Sequence, residues 1–425
     1  MRLQGNNSFF IIVHYRNPFI GSSGTDQYIR YQVDYCSKNG LDSFVLFPVI
    51  KKIGIKISGW GLAFCGEFIG VFSEKRISSL IRNLMAREKC CGVFIHHLKW
   101  SNLDALQRIL SFSKEIVFFV HDYYSCCFQT NLLKNDVAFC GDARLYASKC
   151  SDCVYYSKSL QMVEKIKWFL GTFNKVTVIA PSETAAGFWK EVFPMYAGNV
   201  RVEGHFRISN GIEQTVRKIP ENGKLNVAFV GDGIHAKGAD LWYNALDCLS
   251  EEVREKYNFY HMGSHSPNNK NIICVPIENA LRGNDYMTQQ LIQKKIDVAV
   301  LFSVVPETYS FTFFEALKAR CFVITNGLSG NIAKLVKENR NGIIIEPDTD
   351  SLVKVLSDIS ELKKMVGEYY KRASFRQIIL EHNDAYKECF KYVEMPQEYG
   401  MNIPNDISTA WIADVLYRIR YRKML

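Results

Sequence analysis

Apolar and polar positions along this chain alternate between two patterns. Short, mainly apolar runs predict buried strands, and they lie at Phe9–Val13, Ser43–Val49, Glu115–Val120, Lys175–Ala180, Leu225–Val230 and Ile296–Phe302. Between them, apolar residues recur at three- and four-residue spacing, as in Ser73–Lys89 and Lys158–Leu170, which predicts amphipathic helices. Strands that alternate with helices indicate doubly wound parallel sheets, so we expect α/β domains. The stretch Lys51–Phe72 follows no clean period and is interpreted as strands and turns.

Composition narrows the class of protein. A length of 425 residues suggests two or three domains, and 48% hydrophobic with 22% charged residues is typical of globular proteins. The sequence has no apolar run of the ~18 residues that a membrane-spanning helix needs and no visible signal peptide, so we expect a cytoplasmic protein with mostly reduced cysteines. A net charge of +9 suits phosphorylated ligands or an anionic membrane. Its Lys and Arg are scattered and no nucleic-acid motif appears, so no nucleic-acid partner is expected.

The segment 304–330 carries the candidate chemistry. Pro306 and Glu307 follow the last of the strands above, and α/β proteins bind ligands at such strand ends. Ser310 is a predicted N-cap, and Glu315 lies just over one turn into the helix that follows. The unpaired amides of the first turn can hold a phosphate, while carboxylates accept hydrogen bonds from sugar hydroxyls. A nucleotide-sugar offers both groups, and the competing interpretation is an ordinary helix with solvated acidic residues.

These residues resemble the donor-site signature of the family 4 retaining glycosyltransferases. The motifs that carry the resemblance are Pro306-Glu307 with Glu315-Ala316, Phe322–Thr325, Gly330–Ile332 and Asn341–Ile344. It implies a bacterial surface-polysaccharide enzyme with the GT-B fold, in which two Rossmann-like domains face each other across a cleft. It also implies that Glu307 contacts the donor sugar and Glu315 the ribose. The start of the helix, Ser310, Phe311 and Thr312, would bind the donor.

Two features of the first half match the same family. The loop Gly21-Ser22-Ser23-Gly24 stands where the family has a Gly-Gly loop near the reacting phosphate. Either glycine is a candidate for that part, and Gly24 is the one we assign to the donor site. The strand Glu115–Val120 ends in His121-Asp122, and the resemblance places His121 near the donor sugar. The alternative for a single histidine is a structural role.

The second half repeats a strand, a glycine loop and a helix. Gly231 opens this loop, and Lys237 follows as a cation that can neutralise a departing diphosphate. Family members often have an arginine where this chain has Asp232. Either His235 or Arg282 compensates for that loss, or Lys237 and helix amides hold the diphosphate alone.

Five cysteines cluster within the first half of the chain. Cys150 and Cys153 form a CxxC motif after Cys126, Cys127 and Cys140, a spacing that permits a structural zinc site. The assigned ligands are Cys127, Cys140, Cys150 and Cys153. Free thiols in an acceptor-side loop are the competing interpretation. The resemblance implies transfer without a metal and without any cofactor besides the nucleotide-sugar.

The resemblance divides the chain into an acceptor-binding domain (1–205), a nucleotide-sugar-binding domain (206–385) and C-terminal helices (386–425) that return to the first domain. Ser209 replaces the proline of the family's Pro-Asn-Gly passage between the domains. In the tail, apolar residues recur every four residues before a group of arginines, and they are Ile407, Trp411, Val415 and Ile419. Packing on the first domain is the expectation, and contact with anionic lipid is the alternative.

The sequence therefore predicts a retaining glycosyltransferase with His121, Glu307 and Lys237 as catalytic residues. It would move a sugar from a nucleoside-diphosphate sugar to a glycan or lipid-linked glycan, in the cytoplasm or at the cytoplasmic face of the membrane. One rival is a catalytically idle GT-B subunit that binds a partner enzyme or a glycan. The reason to consider it is that Asp232 replaces the family's arginine. The other rival is a non-hydrolysing nucleotide-sugar epimerase on the same fold.

Overall fold

The structure, a computed structural model, describes residues 2–5, 8–53, 55–85, 90–141, 150–213, 217, 219, 223–265, 271–277, 282–283, 285–372, 376–389, 399–402 and 409–422. The strands are β1 (Arg2–Gly5), β2 (Phe9–Val13), β3 (Asp42–Ile53), β4 (Ile55–Phe64), β5 (Glu67–Phe72), β6 (Cys90–Ile95), β7 (Glu115–Phe119), β8 (Leu133–Lys134), β9 (Ala138–Phe139), β10 (Lys175–Ala180), β11 (Val200–Val202), β12 (Phe206–Glu213), β13 (Leu225–Val230), β14 (Tyr257–Met262), β15 (Ile273–Val275), β16 (Val298–Val300), β17 (Phe322–Asn326), β18 (Gly342–Ile345), β19 (Arg376–His382) and β20 (Tyr399–Asn402). The helices are α1 (Gly24–Lys38), α2 (Glu74–Met85), α3 (Leu103–Ile109), α4 (Tyr156–Gly171), α5 (Glu183–Val192), α6 (Ala239–Cys248), α7 (Glu251–Arg254), α8 (Tyr286–Gln293), α9 (Phe311–Lys318), α10 (Asn331–Asn339), α11 (Thr349–Ser357), α12 (Ile359–Arg372) and α13 (Thr409–Arg420).

Eight strands form the first sheet, in the order β11-β10-β7-β6-β2-β3-β4-β5. The six strands from β11 to β3 are parallel, while β4 and β5 extend the sheet as antiparallel strands. The strand order reverses at β2, which pairs with β3 on one side and β6 on the other. Ligands of open α/β sheets bind at the carboxyl ends of the strands beside such a reversal. His14, directly after β2, and His96, directly after β6, lie at that edge.

Six strands form the second sheet, in the order β15-β14-β13-β16-β17-β18, and all of them are parallel. Its reversal lies between β13 and β16, so Gly231 after β13 marks the corresponding edge. Buried Val227, Val298 and Phe322 pack with Trp242 of α6 on one face of this sheet. The near-continuous apolar strands of both sheets follow from burial on two faces.

The chain links the two sheets through an antiparallel ribbon, in which β12 pairs with β19. The last helix then returns to the first sheet, because α13 packs on β4 and β5 with Ala413 and Tyr417 buried. The predicted return of the C-terminal helices is thereby confirmed, although Ile407 lies outside the described residues. The division at residues 205 and 385 stays a proposal.

The strongest periodic patterns predicted their elements closely. The runs Phe9–Val13, Lys175–Ala180 and Leu225–Val230 are strands over those same residues. The run Ile296–Phe302 forms a shorter strand, β16, which is followed by the segment that lines the second domain's wall of the cleft. There the Ser303 hydroxyl contacts the carbonyl oxygens of Ala236 and Val305, each at 2.9 Å. Lys51–Phe72, which had no clean period, lies within the meander β3-β4-β5.

Candidate active site

A cleft of about 530 Å³ lies between the two sheets, at the carboxyl edges where both strand orders reverse. It is lined by all nine residues predicted for the site, which are Gly24, His121, Gly231, Lys237, Glu307, Ser310, Phe311, Thr312 and Glu315. Residues almost three hundred positions apart in the sequence therefore share one cavity. The arrangement of the two sheets explains this, since each presents to the other the edge at which its strands end.

An ion pair occupies the second domain's wall of the cleft. The Lys237 ammonium donates to Glu307 Oε1 at 2.6 Å, with the two side chains 39% and 12% exposed. The main chain of Glu307 is fixed on both sides, because its amide donates to the Ser329 carbonyl at 3.2 Å and its carbonyl accepts from the Asn331 amide at 3.1 Å. Lys237 is held by the close approach of Gly238 to the Phe302 carbonyl, where a Cβ would collide. Cation and carboxylate are thus positioned by backbone contacts.

The N-terminus of α9 opens into the same wall. Ser310 caps this helix as predicted, since its hydroxyl accepts from the Phe313 amide at 3.3 Å and lies 3.0 Å from the Thr312 hydroxyl. Its backbone has φ 71°, a conformation that non-glycine residues rarely adopt and that clusters at functional sites. Glu315, one turn further on, is 6% exposed and lines the cleft. The helix therefore presents its positive end and a buried carboxylate to one cavity.

The first domain's wall is organised around the buried carboxylate of Asp26. Ser23 caps α1 in a capping box with Asp26, whose carboxylate accepts from the Ser23 amide at 2.8 Å. The same carboxylate pairs with His14 at 3.2 Å and with the Arg16 guanidinium. Burial alone would raise the pKa of Asp26, but the hydrogen bonds of His14 and Arg16 hold it well below its ordinary value. Gly21 is required here, because a Cβ would collide with this carboxylate.

Arg16 is a cleft residue that the sequence interpretation missed. Its side chain is 38% exposed and lines the cavity while it remains paired with Asp26. The signal in the sequence is a cation three residues after the first buried strand, at the edge where ligands bind.

His121 is oriented by a chain of hydrogen bonds from α1. Its Nε2 lies 2.8 Å from His96 Nδ1, and His96 Nε2 lies 2.9 Å from Gln32 Oε1. In this orientation of the Gln32 amide, His96 donates through Nε2 and accepts through Nδ1, so His121 donates through Nε2 and keeps a lone pair on Nδ1. Burial lowers the pKa of His121 to about 3. The ring is therefore neutral at neutral pH and can accept a hydrogen bond.

Asp122, the next residue, is a second carboxylate on the first domain's wall. The Lys99 amide donates to His97 Nδ1 at 2.9 Å, so the His97 proton is on Nε2, which donates to Asp122 Oδ2 at 2.9 Å. The Tyr124 amide donates to the other oxygen of Asp122 at 2.9 Å. Burial alone would raise the pKa of Asp122, but His97 and this amide lower it. An ionised carboxylate therefore lines the cleft beside His121.

The two walls touch through segment 308–311. The Thr308 hydroxyl donates to the His121 carbonyl at 2.6 Å, and the Ser182 hydroxyl donates to the Thr308 carbonyl at 2.6 Å. On the other side, the Phe311 ring lies against Gly24, where an added Cβ would come within 2.8 Å of it. The residues that precede and begin α9 therefore also set the distance between the domains.

The suggested replacements for the missing arginine are not found in the cleft. Neither His235 nor Arg282 is among the described residues that line it. His235 instead lies 2.7 Å from Asp240 Oδ2 and 2.6 Å from the Val137 carbonyl. Asp232 does line the cleft, and its carboxylate accepts from the Ser264 hydroxyl. Asp232 therefore lines the cleft without either of the two suggested substitutes beside it in that lining.

None of the cysteines in the described part of the chain forms a disulfide bond. In the part of the chain that the structure describes, no group of three or more His, Cys, Asp or Glu side chains is arranged to hold a metal ion. The zinc site at Cys127, Cys140, Cys150 and Cys153 thus gains no support and stays a hypothesis. Among the described helices, none is long and apolar enough to cross a membrane.

Comparison with solved structures establishes the class of fold. Sucrose-phosphate synthase from Thermosynechococcus elongatus matches with a TM-score of 0.53 and 12% identity, over 98% of this chain and 100% of that chain. The Anabaena protein Alr3699/HepE in complex with UDP and glucose gives 0.51 and 12%, over 87% and 96%. A glycosyltransferase from Rickettsia africae ESF-5 gives 0.50 and 12%, over 99% and 99%. The chain has the two-domain GT-B fold that the sequence predicted.

Sequence comparison bears on the second half of the chain. A family model described as glycosyl transferases group 1 matches residues 212–375, the part that contains Lys237, Glu307 and Glu315. This match supports a glycosyltransferase. No curated protein sequence matches this chain.

Proposed function

We propose that this protein is a retaining glycosyltransferase that moves a sugar from a nucleoside-diphosphate sugar to a glycan or lipid-linked glycan of the cell surface. The observation that carries the proposal is the pair of Lys237 and Glu307 beside the N-terminus of α9, facing His121 across one cleft. Cation, helix amides and carboxylates match the diphosphate and hydroxyl groups of such a donor. Family 4, to which the motifs point, is part of the proposal.

The second domain binds the donor. The diphosphate takes the Lys237 ammonium together with the amides of Phe311 and Thr312, while Gly231 leaves room for it at the end of β13. Binding of the diphosphate separates Lys237 from Glu307, and the Glu307 carboxylate then accepts hydrogen bonds from sugar hydroxyls. Glu315 accepts from the ribose. Because Lys237 and Glu307 already lie side by side, a diphosphate and its sugar can engage both without a large movement of either.

Transfer breaks the bond from the sugar's anomeric carbon to the phosphate and forms a bond from that carbon to an acceptor oxygen on the same face. The acceptor's proton passes to the departing phosphate, whose charge Lys237 and the amides stabilise. Neutral His121 accepts a hydrogen bond from the sugar through Nδ1, which its contact with His96 leaves available. No metal takes part in this proposal, since Lys237 and the helix supply the positive charge.

The idle-subunit alternative rests on Asp232, which places a carboxylate where a second cation would assist the leaving group. A subunit of that kind can bind a nucleotide and still fail to release it from a sugar. The assay that separates the two functions is release of nucleoside diphosphate from the donor. An epimerase is recognised by a product whose sugar is still attached to the nucleotide.

The test is a thermal-shift panel of UDP, GDP, ADP, TDP and CMP with the wild type, Lys237→Ala and Glu315→Ala. UDP comes first, because the Anabaena structure of the same fold is a complex with UDP and glucose. A ligand at a hundred times its dissociation constant stabilises the fold by about 2.7 kcal/mol, and both variants should lose most of that gain. The matched controls are Lys364→Ala and Glu361→Ala, an exposed ion pair in the same domain. If no diphosphate stabilises the wild type, or if the controls lose the response equally, the donor site is misplaced.

A further inference from the structure

The last helix, α13, has one face that the fold does not cover. Ala410, Ala413 and Tyr417 are buried against the first sheet. On the opposite face Trp411 is 59%, Ile412 43% and Ile419 68% exposed. An α-helix has 3.6 residues per turn, so positions 411, 412, 415, 419 and 422 lie on one outward stripe. Three large apolar side chains on such a stripe form a patch of the kind that marks an interaction site.

The exposed charged side chains on α13 and directly after it are all cations. Arg418, Arg420 and Arg422 are exposed at the C-terminal end of the helix. The acidic residue of α13, Asp414, is turned inward, where it accepts from the Val71 amide at 2.9 Å and from Arg418 at 3.0 Å. A partner of this surface therefore meets apolar side chains bordered by cations. That combination of a tryptophan, aliphatic residues and arginines fits the interfacial region of an anionic bilayer.

The same helix leads to the cleft. The Tyr417 side chain lies close to that of Asn17. Asn17 belongs to the loop between β2 and α1, and its neighbour Arg16 lines the cleft from the first domain's side. The uncovered stripe and the first domain's wall are consequently joined through one short loop. A partner surface in contact with α13 would therefore lie near the first domain's side of the cleft.

We propose that the stripe Trp411, Ile412, Val415 and Ile419, with Arg418, Arg420 and Arg422, docks this protein on an anionic lipid surface. A second copy of the chain fits less well, because two such faces would bring their arginines together. The surface lies outside the cleft, so this inference stands or falls separately from the proposed function. It would place the first domain's side of the cleft next to the lipid, where a lipid-linked acceptor is presented.

The experiment is co-sedimentation of the full chain with vesicles of phosphatidylcholine alone or mixed equally with phosphatidylglycerol. We expect the protein to pellet with the anionic vesicles and not with the neutral ones. Removing two apolar contacts in Trp411→Ala/Ile419→Ala should weaken the partition coefficient about tenfold. Reversing two charges in Arg420→Glu/Arg422→Glu should weaken it by about tenfold or more, and added salt should act in the same direction.

Matched controls separate docking from general adhesion and misfolding. Trp168→Ala removes a tryptophan that is 47% exposed on α4, at the opposite face of the first sheet. Lys354→Glu/Lys371→Glu makes the same charge change on exposed positions of the second domain. Both controls should pellet as the wild type does. Equal binding by the stripe variants, or no binding to anionic vesicles, overturns the proposal. A dimer in light scattering that Trp411→Ala dissolves would assign the stripe to a second copy instead.

Discussion

Gly24 shows how one residue without a side chain can set the geometry of the whole cleft. It is the first residue of α1, and Phe311 is the first residue of α9 in the other domain. A Cβ on Gly24 would approach the Phe311 ring to 2.8 Å, closer than real Cβ atoms come to their neighbours. The glycine therefore allows two helix N-termini to meet across the cleft.

We expect Gly24→Ala to displace Phe311 and with it the start of α9. A shift of a few tenths of an ångström at the donor site should lower nucleotide release from the sugar about tenfold, with little change in thermal stability. Adding Phe311→Leu, which shortens the opposing side chain, should restore much of the activity. The control Gly187→Ala lies in α5 with nothing within 4 Å of its new methyl group, and it should be neutral or slightly stabilising. Wild-type activity in Gly24→Ala would refute the idea.

Residue types and spacing predicted where the cleft residues lie, but not what they touch. Glu307, Glu315 and Ser310 were found from their place after a buried strand, because the carboxyl end of a parallel strand is a fixed location in this kind of fold. The partner of Glu307 was not predictable, since Lys237 is seventy residues away and on another loop. Arg16 was missed for a related reason, because its position depends on a buried carboxylate that looks like an ordinary helix-start aspartate in the sequence.

Gly330 holds the turn that carries Glu307. It has φ 59° and ψ −115°, and it lies beside Glu307 in an isolated parallel bridge. A Cβ here would come within 2.7 Å of Pro306 Cα and 2.9 Å of the Glu307 amide nitrogen. The start of α10 is therefore pressed against the segment that leads into α9, and any added bulk acts directly on the position of Glu307.

Gly330→Ala should both destabilise the second domain and weaken donor binding. The backbone strain costs about 1–3 kcal/mol, and the displaced Glu307 should reduce the thermal shift that a nucleotide-sugar produces more than the shift from the free diphosphate. Gly327→Ala is the matched control, because it lies three residues earlier in the same turn with nothing within 4 Å of the new methyl group. Equal losses with sugar-bearing and sugar-free ligands would contradict a role for Glu307 in holding the sugar.

At the scale of elements, the strands with continuous apolar runs were predictable and the antiparallel edge of the first sheet was not. In β4, glycines stand where an alternating strand would have side chains, and this removes the periodic pattern. A Cβ on Gly59 would lie 3.3 Å from the Ala410 methyl group of α13, and one on Gly61 would collide with Phe47. The sequence of β4 is thus fitted to a helix that comes 350 residues later, which no local pattern can reveal.

Across the whole molecule, a group of buried histidines lies where the domains and the linking ribbon meet. His205 precedes β12, His382 ends β19, and both rings pack on Tyr28 of α1, at 4.3 and 5.1 Å between centroids. His205 also lies 5.2 Å from the His121 ring. Burial lowers the pKa of His382 to about 4 and holds those of His96 and His205 well below the ordinary value. These rings are neutral in the folded protein at neutral pH.

The sign of the resulting pH dependence follows from proton binding. An unfolded chain protonates its histidines below about pH 6.5, whereas the pKa values of the folded protein's rings are lowered, so these rings stay neutral to a lower pH. The unfolded state therefore binds more protons in the acidic range below about pH 6.5. We therefore expect unfolding free energy to fall as pH drops through this window, with a slope that approaches about 1.4 kcal/mol per pH unit for each buried histidine. The carboxylates of Asp26 and Asp122 have lowered pKa values. Their contribution to the unfolding free energy is therefore lost only below about pH 4.

Urea unfolding at a series of pH values between about 7 and 5 measures that slope, and one substitution assigns it. His205→Phe keeps an aromatic ring against Tyr28 and Tyr309 but cannot take up a proton, so its slope should be smaller than that of the wild type by the contribution of one histidine. The variant should also gain stability relative to the wild type as the solution becomes more acidic, because the unfolded chain loses one site that binds a proton. A slope unchanged by His205→Phe, or a wild type equally stable at both ends of the range, would mean that these rings are already charged in the folded cleft. The neutral His121 acceptor proposed for the sugar would then have to be abandoned as well, since His205 and His121 share one buried environment between the domains.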